Sequence, residues 1–290
     1  MVPIYVLLFF CFPFNAGARC FRFFKKLQLP AVGSESYAFD SDNVGPYTGL
    51  SDGRIVKYQG LETGFVEFAT TSANRSKELC DGTYGNDLNL TATCGRALGM
   101  EFYHKTGELY LVGAVYGLMV VGRGGGLATQ LAGGRDGDNL TEILLSEERT
   151  GRLLKYDPKT TKLTMLLKGL AFAVGVAVSK DGSFGPKANT SEIFVELPGN
   201  PDNIKRTKTR DFWVAVNIQR LQPKPSCFAL GQKISADGRI LETVNFYAEY
   251  NATSVAEVQE HHGLMYLSSN TANFAGVYKV LECSEKPVQL

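Results

Sequence analysis

Short runs of alternating apolar and polar residues, each preceded by a glycine turn, limit the fold of this chain more than any other feature. Four such units occur along the sequence. They are Asp52-Gly53 before Arg54–Tyr58, Thr106-Gly107 before Glu108–Val112, Thr150-Gly151 before Arg152–Tyr156, and Asp237-Gly238 before Arg239–Leu241. A Gly-containing turn between alternating runs is typical of hairpins. The sequence therefore predicts an all-β fold.

Two of these units repeat one design, since Gly53–Tyr58 has the sequence GRIVKY and Gly151–Tyr156 has the sequence GRLLKY. A strand motif that recurs at wide spacing is typical of radial repetition. Helical periodicity is scarce, and Ser72–Leu79 is the best candidate helix. A β-propeller is the leading fold. The rival fold, a β-sandwich, does not require the repeated unit.

Charge argues against one class of partner. The 290-residue chain has a formal net charge of +1 and contains no basic block. Phosphate backbones are bound by clustered Lys and Arg. We therefore expect no nucleic-acid partner.

The N-terminus predicts export. An almost wholly apolar run, Val2–Phe14, is followed by the small residues Ala16-Gly17-Ala18. This pattern indicates a signal peptide over residues 1–18 and a single domain over residues 19–290. An uncleaved anchor is the alternative, because no Lys or Arg precedes the apolar run. No later segment has the length of a membrane span. The expected destination is the secretory pathway, leading to the vacuole or the cell exterior.

Cysteines and glycosylation sequons agree with an oxidising compartment. Cys80 and Cys94 bracket a polar, glycine-containing loop, which a disulfide would close. Cys227 and Cys283 either pair or remain thiols, and Cys20 lies beside the predicted signal peptide. Five asparagines begin N-x-Ser/Thr triplets and become candidate glycan sites in an exported chain. They are Asn74, Asn89, Asn139, Asn189 and Asn251.

Several strings together resemble the strictosidine-synthase-like family of plant six-bladed β-propellers, and the resemblance runs in order from about Leu29 to Lys279. The strings are Gly33–Asp40, Pro46–Arg54, Cys94–Arg96, Gly151–Pro158, Leu166–Leu170, Pro201–Arg206 and Gln259–Gly263. The resemblance implies a six-bladed propeller similar in fold to calcium-dependent lactonases and esterases. The family's named member condenses tryptamine with the aldehyde secologanin in the vacuole. The Cys80–Cys94 pair falls where the family carries a disulfide.

Two departures from the family pattern are large. Strand pairs that the family carries after Gly137 and after Phe184 have no counterpart in this sequence. Losing paired strands exposes sheet edges that folded proteins normally protect. We therefore expect one or two incomplete blades. Segments skipped in the transcript or gene model are one explanation, and true divergence to smaller blades is the other.

The synthase reaction needs a base, which the family supplies as a Glu just before the Gln-Glu-His-x-Gly string. Counting back from Gln259, that position is Ala256, and the family's neighbouring His is Ser254. The resemblance therefore implies no catalytic residue for strictosidine formation. Glu257 is adjacent, but strand neighbours face opposite sides unless a bulge intervenes. Glu260 matches the family independently of the base, which favours a structural role.

The related calcium propellers place Glu, Asn and Asp side chains around the central channel, and these hard oxygen ligands suit Ca²⁺. The matching positions are Glu35, Asp202 and Asn203. A further position is Val174, and the remaining one falls in the first gap. An incomplete ligand set favours hydrogen bonding within the channel over metal binding. We therefore assign no cofactor, with Ca²⁺ as the alternative.

Three other patterns carry little functional weight. Gly49–Gly53 matches the G-x-S-x-G nucleophile elbow by letter, but a strand follows it where that motif needs a helix. Gly122–Gly126 leads into no helix, which argues against a phosphate loop. His261 and His262 would face apart on a strand, which argues against joint metal ligation.

Three functions remain open. The first is a small-molecule-binding propeller with a hydrolase-like action on esters or lactones. The second is an amine–aldehyde condensing synthase, against which Ala256 argues. The third is a non-catalytic propeller or an incomplete isoform. The oligomeric state is left open.

Overall fold

The computed structural model describes residues 19–83, 88–132, 151–170, 175–177, 193–220, 226–251 and 253–283, and the chain is almost entirely β within them. The strands are β1 (Arg19–Gln28), β2 (Tyr37–Ala38), β3 (Tyr47–Gly49), β4 (Arg54–Tyr58), β5 (Phe65–Thr70), β6 (Ala97–Tyr103), β7 (Glu108–Gly113), β8 (Gly117–Val121), β9 (Gly126–Leu127), β10 (Thr129–Ala132), β11 (Gly151–Asp157), β12 (Lys162–Leu170), β13 (Asn200–Arg206), β14 (Phe212–Arg220), β15 (Ser226–Ile234), β16 (Ile240–Asn245), β17 (Glu257–His261), β18 (Leu264–Ser268) and β19 (Phe274–Glu282). The helices are α1 (Lys77–Cys80) and α2 (Leu88–Cys94). No helix in these ranges is long and apolar enough to cross a bilayer. The predicted signal peptide, residues 1–18, lies outside them.

Neighbouring strands pair into antiparallel sheets that form the blades of a propeller. Four sheets run β2-β3-β4-β5, β6-β7-β8-β10, β13-β14-β15-β16 and β17-β18-β19-β1, and β9 joins the first of them in parallel beside β5. In the last sheet β1 pairs with β19, from Arg19 opposite Glu282 to Gln28 opposite Phe274. The two ends of the described chain thus close one blade together, which is how a propeller completes its ring. The prediction of an all-β propeller is confirmed.

The fifth sheet consists of β11 and β12 alone in the part of the chain that is described. No residue of this hairpin is buried, and Leu154, Leu163 and Met165 are 46%, 39% and 52% exposed. A complete blade would cover such side chains with further strands. The hairpin therefore fits the expected incomplete blade. The junctions after Gly137 and Phe184 lie outside the described residues, and six blades stay a prediction.

The predicted hairpin turn at Asp52-Gly53 is confirmed. The Gly53 amide donates to the Leu50 carbonyl at 3.2 Å, and Gly53 has a φ of 85°. That φ lies in the left-handed region, and a Cβ here would overlap the Cys94 carbonyl, so only glycine fits without strain. The predicted helix at Ser72–Leu79 is shorter than expected, because α1 begins after its N-cap Ser76.

Two disulfides occur in the described residues, one between the two short helices and one at the end of the β1–β19 pairing. Cys80 at the end of α1 is bonded to Cys94 at the end of α2, as predicted. Cys20 in β1 is bonded to Cys283, which follows β19. Cys227 is consequently a free thiol. Of the two outcomes left open from the sequence, Cys227 does not pair with Cys283, because β1 brings Cys20 there instead.

Candidate functional site

The innermost strands of four blades, β2, β6, β13 and β17, meet at a central channel. The Asn203 amide nitrogen of β13 donates to the Glu35 carbonyl, just before β2, at 3.1 Å. The Lys205 Nζ donates to the carbonyls of Tyr37 in β2 and Met100 in β6, at 3.2 and 3.3 Å. Side chains of β13 therefore bond directly to the backbone of two other blades. This channel is the candidate functional site.

The segment carrying Glu35 is held from two neighbouring blades. Its carbonyl accepts from the Asn203 amide nitrogen at 3.1 Å and from the Ser268 hydroxyl at 2.7 Å. Burial raises the pKa of the Glu35 carboxyl, against the opposing effects of the Arg96 guanidinium and a hydrogen bond from Asn270. A fixed backbone and a defined set of polar neighbours orient this carboxyl in the channel.

Asp202 lies one residue before Asn203 and is half-buried. Burial and, to a smaller extent, the nearby charge of Glu35 raise the pKa of Asp202 to about 7, against a backbone hydrogen bond from Asn203 that lowers it. A carboxyl with a pKa near the ambient pH exchanges protons efficiently, which is the property of a general acid or base. Glu35, Asp202 and Asn203 are thus neighbours in the structure.

These residues do not fit a calcium ion. Asn203 presents its amide nitrogen, a donor, to the Glu35 carbonyl. The amide oxygen of Asn270 accepts from the Arg96 guanidinium at 2.9 Å, and that guanidinium also acts on the Glu35 carboxylate. A positive side chain already balances charge where a cation would act. The described residues form no group of three His, Cys, Asp or Glu side chains suited to a metal. Val174 lies outside them.

Ala256, at the position where the resemblance implies a catalytic Glu, is buried between two strands. Ala256 is fully buried, donates its amide to the Ser268 carbonyl, and accepts the Asn203 amide on its carbonyl, both at 2.9 Å. Ser254 is half-buried nearby. A methyl side chain offers no group that takes up a proton. The backbone of residue 256 therefore bridges β13 and β18, while its side chain carries no chemistry.

Glu257 is the first residue of β17 and lies opposite Ser268 of β18. The Ala256 amide also bonds to the Ser268 carbonyl, so the regular alternation of β17 does not extend back to Ala256. The Glu257 side chain reaches the inner strand β2. Its carboxylate is 1% exposed and accepts from the Tyr37 amide at 2.8 Å. Burial raises the pKa of Glu257 to about 7, against the opposing effects of Lys205 and the Tyr37 amide.

Lys205 connects these groups and was not singled out from the sequence. Its Nζ lies 3.0 Å from the Glu101 carboxylate and 3.7 Å from that of Glu257, besides its bonds to the carbonyls of Tyr37 and Met100. Burial alone would lower the pKa of Lys205, but the two carboxylates raise it. The only sequence signal was an inward position two residues after Asn203. Lys205 ties four inner strands into one hub.

Two of the lesser sequence patterns have structural explanations. Ser51, the centre of the G-x-S-x-G letter match, is buried and donates to the Thr83 carbonyl at 2.9 Å. Glu260 accepts from the Arg19 guanidinium at 2.8 Å and from the Trp213 indole at 3.1 Å. Ser51 therefore holds a loop in place, and Glu260 joins two blades.

The two histidines and the glycan sequons lie away from the channel contacts. His261 stacks on Phe39 at a centroid distance of 3.7 Å, and His262 bonds to the Asn43 side chain at 2.9 Å. Burial lowers the pKa of His261 to about 4. Two sequon asparagines, Asn74 and Asn251, are exposed. The side chains of the other three lie outside the described residues. They are Asn89, Asn139 and Asn189.

Comparison with known proteins identifies relatives over most of the chain. A family model described as strictosidine synthase matches residues 136–194. A protein named STRICTOSIDINE SYNTHASE-LIKE 12 from Arabidopsis thaliana is 36% identical over 306 residues, covering 89% of this chain and 90% of the relative. Strictosidine synthase from Catharanthus roseus is 31% identical, covering 87% of this chain and 84% of that enzyme. Among solved structures, an apo-form soluble aldose sugar dehydrogenase from Escherichia coli matches at 10% identity, with a TM-score of 0.44 and coverage of 92% and 100%.

The length of one alignment bears on the missing strands. The alignment spans 306 positions, but this chain has 290 residues and only 89% of these residues take part in it. The Arabidopsis relative therefore contains residues with no counterpart here. The identity and the coverage hold over nearly the whole of both chains. On these findings, the chain belongs to the strictosidine synthase-like family.

Proposed function

We propose that this chain is a small-molecule-binding propeller of the secretory pathway that hydrolyses an ester or lactone in its channel, with Asp202 as the general base. The observation that carries this proposal is the half-buried Asp202 carboxyl, whose pKa burial raises to about 7 beside the fixed Glu35 segment. Asp202 would take the proton of an attacking water and return it to the leaving alkoxide oxygen as the acyl C–O bond breaks.

The same residues disfavour the synthase reaction. The amine–aldehyde condensation depends in this family on a positioned carboxylate, and Ala256 occupies that position. The neighbouring carboxylate of Glu257 is buried and engaged with the Tyr37 amide. It is therefore a component of the hub, not a group free to receive a substrate proton.

Export is supported independently of the channel. Two disulfides are typical of an oxidising compartment, and the N-terminal apolar run precedes the first described strand. We propose cleavage after Ala18 and delivery to the vacuole or the cell exterior. Asn74 and Asn251, both exposed, are proposed glycan sites.

The test is a panel of aryl esters and aliphatic lactones offered to the protein secreted from a plant host. Asp202→Asn should lower turnover by about 10²-fold or more, and wild-type turnover should rise through a pKa near 7. Asp42→Asn, an exposed aspartate in a turn, is the matched control and should be unchanged. Hydrolysis that persists in Asp202→Asn would contradict the assigned base.

A second candidate is a non-catalytic binding propeller, favoured by the exposed apolar side chains of the β11–β12 hairpin. An incomplete wall would leave binding intact but misplace the reacting groups. A panel member that raises the thermal midpoint without being hydrolysed would assign this function. Absence of both binding and turnover would remove both candidates.

A further inference from the structure

The outermost strand of the closing blade carries an unusual group of side chains on an open edge. Among the described residues, β1 is the last strand of its sheet and pairs with β19 alone. We define the β1 surface as Arg22, Phe23, Phe24, Lys25, Lys26 and Lys279. All of these lie on β1 except the last, which lies on β19. Within the blade, this surface lies at the edge opposite the inner strand β17, which lines the channel.

The cations of the β1 surface are not balanced internally. Arg22 lies directly opposite Lys279 in the β1–β19 register. Like charges directly opposite on paired strands are destabilising. The ion pairs found in the described ranges use neighbouring cations instead, such as Arg19 with Glu260 and Lys57 with Asp40. The four cations of the β1 surface take part in none of these pairs. An external anion would remove this repulsion.

Exposed aromatic rings lie among these cations. Phe23 and Phe24 are 36% and 45% exposed, and the register of β1 shifts between Phe23 and Lys25, which takes Phe24 out of the regular ladder. The Lys279 Nζ lies 4.4 Å from the Phe24 centroid, and the Lys25 Nζ lies 5.3 Å from it. Leu281, further along β19, is 43% exposed. Apolar and cationic groups therefore share one edge.

We propose that the β1 surface binds the face of a membrane rich in anionic phospholipid. Cations attract the headgroups, and exposed phenylalanine rings gain free energy by entering the boundary between headgroups and acyl chains. Basic side chains on an edge strand also discourage strand-to-strand aggregation, but that role gives no reason for two adjacent exposed phenylalanines. A hydrated acidic polysaccharide would engage the cations and gain little from the rings.

Co-sedimentation with vesicles tests the proposal on the secreted, disulfide-bonded protein. We expect binding to vesicles of phosphatidylserine and phosphatidylcholine, weakened by salt, and little binding to phosphatidylcholine alone. The double variant Arg22→Gln/Lys279→Gln should bind about fivefold more weakly for each cation removed. Phe24→Ser should also weaken binding, and should do so at high salt as well.

Lys159→Gln/Lys162→Gln is the matched control, because it removes two exposed lysines at the β11–β12 hairpin. It should bind as the wild type does. Thermal midpoints of all variants establish that each is folded. Equal binding to neutral and anionic vesicles, or unchanged binding by the Arg22/Lys279 variant, would overturn the proposal. Retention on polygalacturonate without retention on lipid would also overturn it, since the occupant would then be a polymer.

Discussion

Glu257→Gln should make the protein's stability less sensitive to pH. In the wild type, the Glu257 carboxyl faces the Lys205 ammonium from β13 and the Glu101 carboxylate from β6, with Glu35 just before β2. Glutamine has the shape of the protonated acid and keeps an oxygen for the Tyr37 amide. The variant and the wild type should therefore have similar stability where Glu257 is protonated.

The direction of the pKa shift determines whether folding stability rises or falls with pH. Burial raises the pKa of Glu257 from its ordinary 4.5 to about 7 in the folded state. The folded state then binds the proton more tightly than the unfolded state, so this stabilisation is full below 4.5 and is lost as pH rises through about 7. At 1.36 kcal/mol per pKa unit, the loss is about 3 kcal/mol. Glutamine cannot ionise, so the Glu257→Gln variant does not lose this stability.

Urea unfolding of both proteins at about pH 5 and about pH 8 measures this effect. Glu257→Gln should match the wild type at the lower pH and exceed it by about 3 kcal/mol at the higher pH. The comparison cancels His261, whose lowered pKa acts in the opposite direction, because both proteins carry it. Glu78→Gln, an exposed glutamate on α1, is the control and should show no such gain. If the unfolding free energies of the variant and the wild type differed by the same amount at both pH values, the reasoning would be refuted.

Three further predictions concern closure, export and the incomplete blade. Cys283→Ser should cost about 5 kcal/mol in urea unfolding, because its bond to Cys20 closes a loop of sequence separation 263, and an unchanged midpoint would contradict this. N-terminal sequencing of the secreted protein should begin at residue 19, and a glycosidase should shift its mass; a start at Met1 without a shift would count against export. Restoring strand pairs after Gly137 and Phe184 should raise the thermal midpoint and reduce binding of a hydrophobic dye, whereas equal midpoints would mean that the blades close without them.

Local turn chemistry made much of the fold predictable. The strand expected at Arg54–Tyr58 is β4 without any change of bounds, and β7 and β11 fall on the predicted runs. β4 and β7 follow glycine turns at Gly53 and Gly107, so neighbouring residues are enough to predict them. The disulfide between Cys80 and Cys94 was also predictable, because it closes a local loop.

Contacts between segments that are distant in the sequence were harder to predict. The bond of Cys20 to Cys283 depends on β1 pairing with β19, and alternation within one strand does not reveal its partner. Lys205 was missed for the same reason, since its role arises from carbonyls and carboxylates on three other strands. Strand alternation also did not show that the Glu257 carboxylate meets the Tyr37 amide and Lys205.

The most direct test of the account is strictosidine formation by the purified secreted protein. Tryptamine and secologanin are incubated with it, and the product is measured by mass spectrometry beside the Catharanthus roseus enzyme. The resemblance implies that Ala256 stands in the place of a positioned base worth about 10²–10⁴-fold, so we expect product no faster than in the protein-free reaction. Ala256→Glu alone should not restore turnover, since an incomplete blade would also misplace the reactants. Turnover near that of the Catharanthus enzyme would contradict the account and would assign the base to another carboxylate, of which Glu257 is the first candidate.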